Sequence, residues 1–152
     1  MNAAVAVSAP AWCTFRLAQD HYGVELGRVQ EVLRPLPVTR LPLAPPAIAG
    51  LLNLRGRIVT VVDLRVVLGV ETAPAAGLVV VRGSEGPVAL LVDAIGDVRR
   101  TDAATPALAA EPAGDDHVSL VASTLALPGE LLAVLDLDRV LARAFAPEEA
   151  RA

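Results

Sequence analysis

Residues 48–65 read IAGLLNLRGRIVTVVDLR, two apolar stretches of strand length around a polar insert, Asn53-Leu54-Arg55-Gly56. Branched aliphatic residues on both sides of a turn signal are the mark of a β-hairpin. Glycine permits the positive φ of a tight turn, and Asn accepts a hydrogen bond from nearby backbone. The second arm returns later: GRIVTVVDL from Gly56 lies over GELLAVLDL from Gly129, and Leu68 then matches Leu141. In both copies a strand ends at an aspartate, Asp63 or Asp136, placed to cap a following helix. Gly69 stops the first helix. The second continues through Arg139, Val140, Leu141, Ala144 and Phe145 at helical spacing.

A second matched pair precedes each copy. Val24-Glu25-Leu26 with Val29 and Val32 corresponds to Leu90-Leu91-Val92 with Ile95 and Val98. Each half therefore holds a hairpin, a bend, a loop, and a strand running into a capped helix. The first hairpin is expected to turn at Gln19-Asp20-His21 and the second at Gly83-Ser84-Glu85-Gly86. Many short strands and few helices predict an all-β fold with short helices, with sheets closed into barrels. The halves fall at about residues 12–70 and 77–145. Residues 1–11 and 146–152 read as a disordered and a frayed tail. Five prolines between Arg34 and Pro46 forbid helix and central strand, which makes an extended connector. Residues 101–117, rich in Ala, Pro, Gly and Asp, read as a flexible loop.

Aromatic residues make up 3% of the chain and hydrophobic ones 54%, so Val, Leu and Ala must build the core. Each contributes modestly, roughly 1.5–3 kcal/mol per fully buried Val or Leu, so many are needed. No apolar run is long enough for a membrane helix, and the first residues lack the basic and apolar regions of a signal peptide. A cytoplasmic protein is the default. A net charge of −4 with few aromatics disfavours nucleic acid. Cys13 stands alone, which excludes an intrachain disulfide, and between Trp12 and Phe15 it reads as a buried, inert thiol.

Phosphate-loop, dinucleotide, nucleophile-elbow and zinc-helix motifs are absent. His21 and His117 have no Cys or His at ligand spacing, and Asp115-Asp116-His117 reads as a solvated acidic turn. What remains is contact. Arg55 has two readings, a recognition group or a salt bridge that stabilises its turn, and a guanidinium fork suits either. Glu31 shares the choice between facing the same surface and being plainly solvated. Val29, Val32, Ile95 and Val98 occupy equivalent bends, lining a seam between halves or packing the core; for Val32 and Val98 the core reading is preferred.

The stretch Ile48 to Leu64 resembles the signature of the CheW family of chemotaxis coupling proteins. Tyr22-Gly23-Val24-Glu25-Leu26 with Val29-Gln30-Glu31-Val32, and Val88 to Val98 with Val92-Asp93 and Ile95, resemble its flanking motifs in the right order. The resemblance covers about residues 12–145. It implies two small five-stranded SH3- or OB-like barrels packed side by side, no enzymatic activity, no cofactor and no metal. It implies a cytoplasmic scaffold, recruited to receptor arrays, between a chemoreceptor tip and the regulatory domain of a CheA-type histidine kinase. Receptor-contact positions fall on Val29, Glu31, Gly50, Arg55 and Ile95, and kinase contact on Val38, Thr39, Arg40 and Leu41. An adaptor of a pilus-motility or similar pathway is the near alternative; a small catalytic barrel or an oligonucleotide-binding barrel is the distant one. The chain departs from the family pattern at residues 119–123, which lack a usual glycine, at Ala89, and in the loop 101–117.

Overall fold

The computed structural model describes residues 9–102, 104–109 and 120–147. The expectations for residues 110–119, His117 among them, and for most of both tails lie outside the described residues. The elements run β1 (Ala11–Leu17), β2 (Asp20–Glu25), a 3-10 turn (Leu26–Arg28), β3 (Val29–Leu33), β4 (Ile48–Leu54), β5 (Arg57–Asp63) and α1 (Leu64–Leu68). The second half continues with β6 (Gly77–Gly83), β7 (Gly86–Val92), β8 (Ala94–Arg100), β9 (Ala107–Ala109), β10 (Val121–Leu127), β11 (Glu130–Leu135) and α2 (Leu137–Phe145). Part of the expected loop 101–117 is thus strand β9, which pairs with β10 through Leu108 and Thr124.

The strands form two sheets, one of five in the order β3-β6-β7-β5-β4 and one of six in the order β8-β1-β2-β11-β10-β9. Residues 12–70 and 77–145 are not the two sheets. The hairpin β1–β2 of the first half joins strands of the second, and the hairpin β6–β7 of the second joins strands of the first. If each element is exchanged for its counterpart, the five-stranded order becomes β8-β1-β2-β11-β10, the other sheet without its added edge. The duplication read in the sequence is therefore a duplication of topology with reciprocal hairpin exchange.

Local chemistry sets most turns. Leu54 pairs with Arg57 around Arg55-Gly56, whose φ values of 53° and 84° are both positive, as a type I′ hairpin turn requires. The second hairpin turns at Ser84-Glu85 between Gly83 and Gly86, as expected. The first turns one residue early, at Ala18-Gln19, so Asp20 and His21 already belong to β2. Asp63 and Asp136 cap their helices through the amides of Arg65 and Arg139, at 3.0 and 3.2 Å. The strand starts match too: the amides of Asp63 and Asp136 donate to the carbonyls of Ala47 and Leu120.

Among the described residues, three apolar clusters fill the interior. Leu52, Val59, Val61, Leu78, Val80 and Ala89 lie within the five-stranded sheet alone, and Leu125, Leu132 and Val134 within the six-stranded one. The largest is shared: Phe15, Tyr22 and Val24 from one sheet meet Val79, Val81 and Leu90 from the other, with Leu64, Leu68, Val140 and Leu141 of the helices. Cys13 is buried there, and desolvation raises its thiol pKa, the expected inert state.

Candidate functional site

The turn that carries Arg55 is held by Asn53, whose side-chain oxygen accepts from the Gly56 amide at 2.8 Å. A bulky residue in the left-handed region is uncommon and points outward for a reason. The Arg55 fork makes two parallel hydrogen bonds to Glu31, each 2.6 Å. Its own side chain stays 69% exposed. Arg55 is therefore paired with another strand and still presented to solvent. The hydrogen bonds from Arg55 hold the Glu31 carboxyl below its ordinary range and raise the guanidinium in turn.

Sheet order shows what the pair spans. Arg55 follows β4 and Glu31 lies on β3, the two opposite edges of the five-stranded sheet. For them to meet, the sheet must curl until its edges approach. A register shift in β3 between Val29 and Glu31 turns that strand at the same place.

Gly50 sits on the far side of this edge with a different partner. Its φ is 148°, and a Cβ there would fall 2.1 Å from the Thr39 carbonyl oxygen. Thr39 exchanges two backbone hydrogen bonds with Leu51, at 2.7 and 2.8 Å, and Val38 packs on the interior of the sheet. The missing side chain at Gly50 is what lets residues 38–41 lie against β4. Gly50 is buried, so the structure groups it with Val38 and Thr39 more closely than with Arg55. Arg40 and Leu41 are exposed and line a surface cavity of about 600 Å³ with Leu43, Ile48 and Leu91. Leu43 stands fully exposed at a φ of 66°, a feature the proline pattern alone did not reveal.

Val29 is half-buried against the shared core. Ile95 is the second residue of the edge strand β8 of the other sheet, and its side chain covers Gly77 across the two sheets. The core reading of Val32 and Val98 is corrected: they are 42% and 50% exposed, because β3 and β8 are edge strands with one face to solvent.

Sequence reasoning missed a buried charge network. Arg65 donates to Asp63 at 2.5 and 3.2 Å, to Asp93 at 2.7 Å and to the Ala73 carbonyl at 2.6 Å. The hydrogen bond to Asp63 is the main cause of a raised Arg65 pKa. The capping motif Asp63-Leu64-Arg65 was the available signal, but the Asp93 partner is brought in by the fold. On the six-stranded sheet, Glu130 accepts from Arg99 at 2.5 Å and lies 3.7 Å from His21. Among the described residues no His, Cys, Asp and Glu cluster has the makings of a metal site, and no helix is long and apolar enough to cross a membrane.

A family model described as the CheW-like domain matches residues 12–145. The protein named "Chemotaxis protein CheW" of Rhizobium meliloti (strain 1021) is 29% identical over 129 residues, 83% of either chain. That of Klebsiella aerogenes is 31% identical over 134 residues, 84% of this chain and 78% of that protein. In fold, the chain is similar to the crystal structure of scaffolding protein TtCheW from Thermoanaerobacter tengcongensis. The TM-score is 0.79 at 24% identity, over 87% of this chain and 92% of that one.

Proposed function

The chain belongs to the CheW-like family, and from that premise we propose that it is a non-catalytic chemotaxis adaptor that couples chemoreceptors to a CheA-type histidine kinase. The observation that carries this reading is the Arg55–Glu31 pair, a bidentate ion pair held on a tight turn with its guanidinium largely exposed. Preorganised, rigid charge at an edge lowers the ordering cost of docking. Val29 and Ile95 supply apolar surface at the two bends, suited to a helical receptor tip laid along the seam. The segment 38–41, braced by prolines and by Thr39 on β4, supplies the kinase contact. The adaptor works in the cytoplasm at the receptor array. By holding receptor and kinase together, it lets a change in receptor state bias the kinase equilibrium.

The test is reconstitution of kinase, receptor and adaptor with Arg55→Ala. The variant is expected to melt close to wild type, as exposed substitutions do, and to lose receptor control of kinase activity. Full receptor control with Arg55→Ala would return the pair to a purely structural role. Leu41→Asp is expected to weaken kinase binding while receptor binding survives, which separates the two surfaces.

A further inference from the structure

Asp93 stands where the chain leaves the five-stranded sheet at Val92 and enters the six-stranded one at Ala94. Its amide donates to the Arg16 carbonyl at 3.1 Å, and its carboxylate accepts from the Ala18 amide at 2.7 Å, both in the β1–β2 hairpin. The other carboxylate oxygen accepts from Arg65 of α1, which belongs with the five-stranded sheet. One carboxylate thus ties the two sheets together, with Asp93 and Arg65 side chains only 8% and 6% exposed.

Among the described residues the shared core between the sheets is otherwise apolar. Apolar burial is non-directional, so Val and Leu surfaces resist separation far better than they resist sliding. Hydrogen bonds are directional, and buried charge is tolerated only where its partners are in place. We propose that the Asp93 carboxylate is the positioning group that fixes the angle between the two sheets. With that angle it sets the separation of the exposed edges β3 and β8, whichever partner docks there. The opposite crossover lacks such a group: Arg28 donates to the Arg82 carbonyl and to Asp138 of α2, but Asp138 is 77% exposed.

Spin labels on cysteines at Ile58 and Leu131, equivalent exposed positions on the two sheets, read the angle as a distance distribution. Buried Cys13 stays unlabelled. Asp93→Asn keeps the shape of the side chain and removes its charge. It is expected to shift or broaden the distribution, because an amide offers one acceptor oxygen where the carboxylate serves Ala18 with one and Arg65 with the other. Arg28→Ala is expected to leave the distribution as in wild type. A lowered melting temperature with an unchanged distribution would overturn the proposal, and so would equal broadening in Arg28→Ala. Should Asp93→Asn fail to fold, Arg65→Met, which keeps the aliphatic stem, decides by the same criterion.

Discussion

The two crossovers carry contacts of the same connectivity with opposite charges. After β2, the cation Arg28 ties the neighbouring hairpin at Arg82 to the helix residue Asp138. After β7, the anion Asp93 ties the other hairpin at Ala18 to the helix residue Arg65. The connectivity matches, but the surroundings do not. The Asp93 pair is almost fully buried, whereas the Arg28 pair is 29% and 77% exposed. In water such a pair is worth about 0–1 kcal/mol, but removing one buried partner strands a charge at about 3–5 kcal/mol. Duplicating a fold therefore does not duplicate where its energy resides; burial decides that separately at each site.

The sharpest break in this comparison is Asp93→Ala, expected to cost about 3 kcal/mol in urea denaturation because the Ala18 amide loses its acceptor and Arg65 one of its two carboxylate partners. Next is Gly50→Ala, expected to cost about 2–3 kcal/mol, since its backbone is strained for any side chain and the Thr39 carbonyl fills the space. The register shift between Val121 and Ser123 places Ser123 at the equivalent point of β10. Ser123→Ala should therefore change stability by less than about 0.5 kcal/mol. Asp136→Ala should cost about 1 kcal/mol as a lost helix cap. Asp138→Asn, at the exposed crossover, should cost about 0.5 kcal/mol or less, and less again in high salt.

The smallest effect is titration at the Arg55 edge. The folded pKa of Glu31 lies below its ordinary value of 4.5, so its contribution to stability is complete above that range. The contribution is lost as pH falls through the lowered folded value. An NMR titration should show the Glu31 carboxyl protonating below the exposed carboxylates, and Arg55→Ala should return it toward them. An ordinary Glu31 titration in the wild type would mean the pair is not formed in solution.

What the structure adds is clearest at the bends. Val32 and Val98 look like core residues because strand valines usually are, and only their place on edge strands exposes them. Gly50 reads in sequence as one small residue among the receptor-contact positions, and the structure makes it the seat of the Thr39 carbonyl. The glycine missing from residues 119–123 does not prevent the matching register shift at Val121 and Ser123. Arg65 reads as an ordinary helix residue two places after a cap until Asp93 arrives from the other crossover.

From sequence alone follow the hairpin at Arg55-Gly56, the two capped helices and the internal duplication. These depend on contacts within a few residues, which alternation, turn chemistry and capping spell out locally. Only the tertiary structure decides which hairpin joins which sheet, which charges are buried, and which bend valines face water. An alternating Val and Leu strand fits either sheet equally well, so the choice rests on the packing of the shared core.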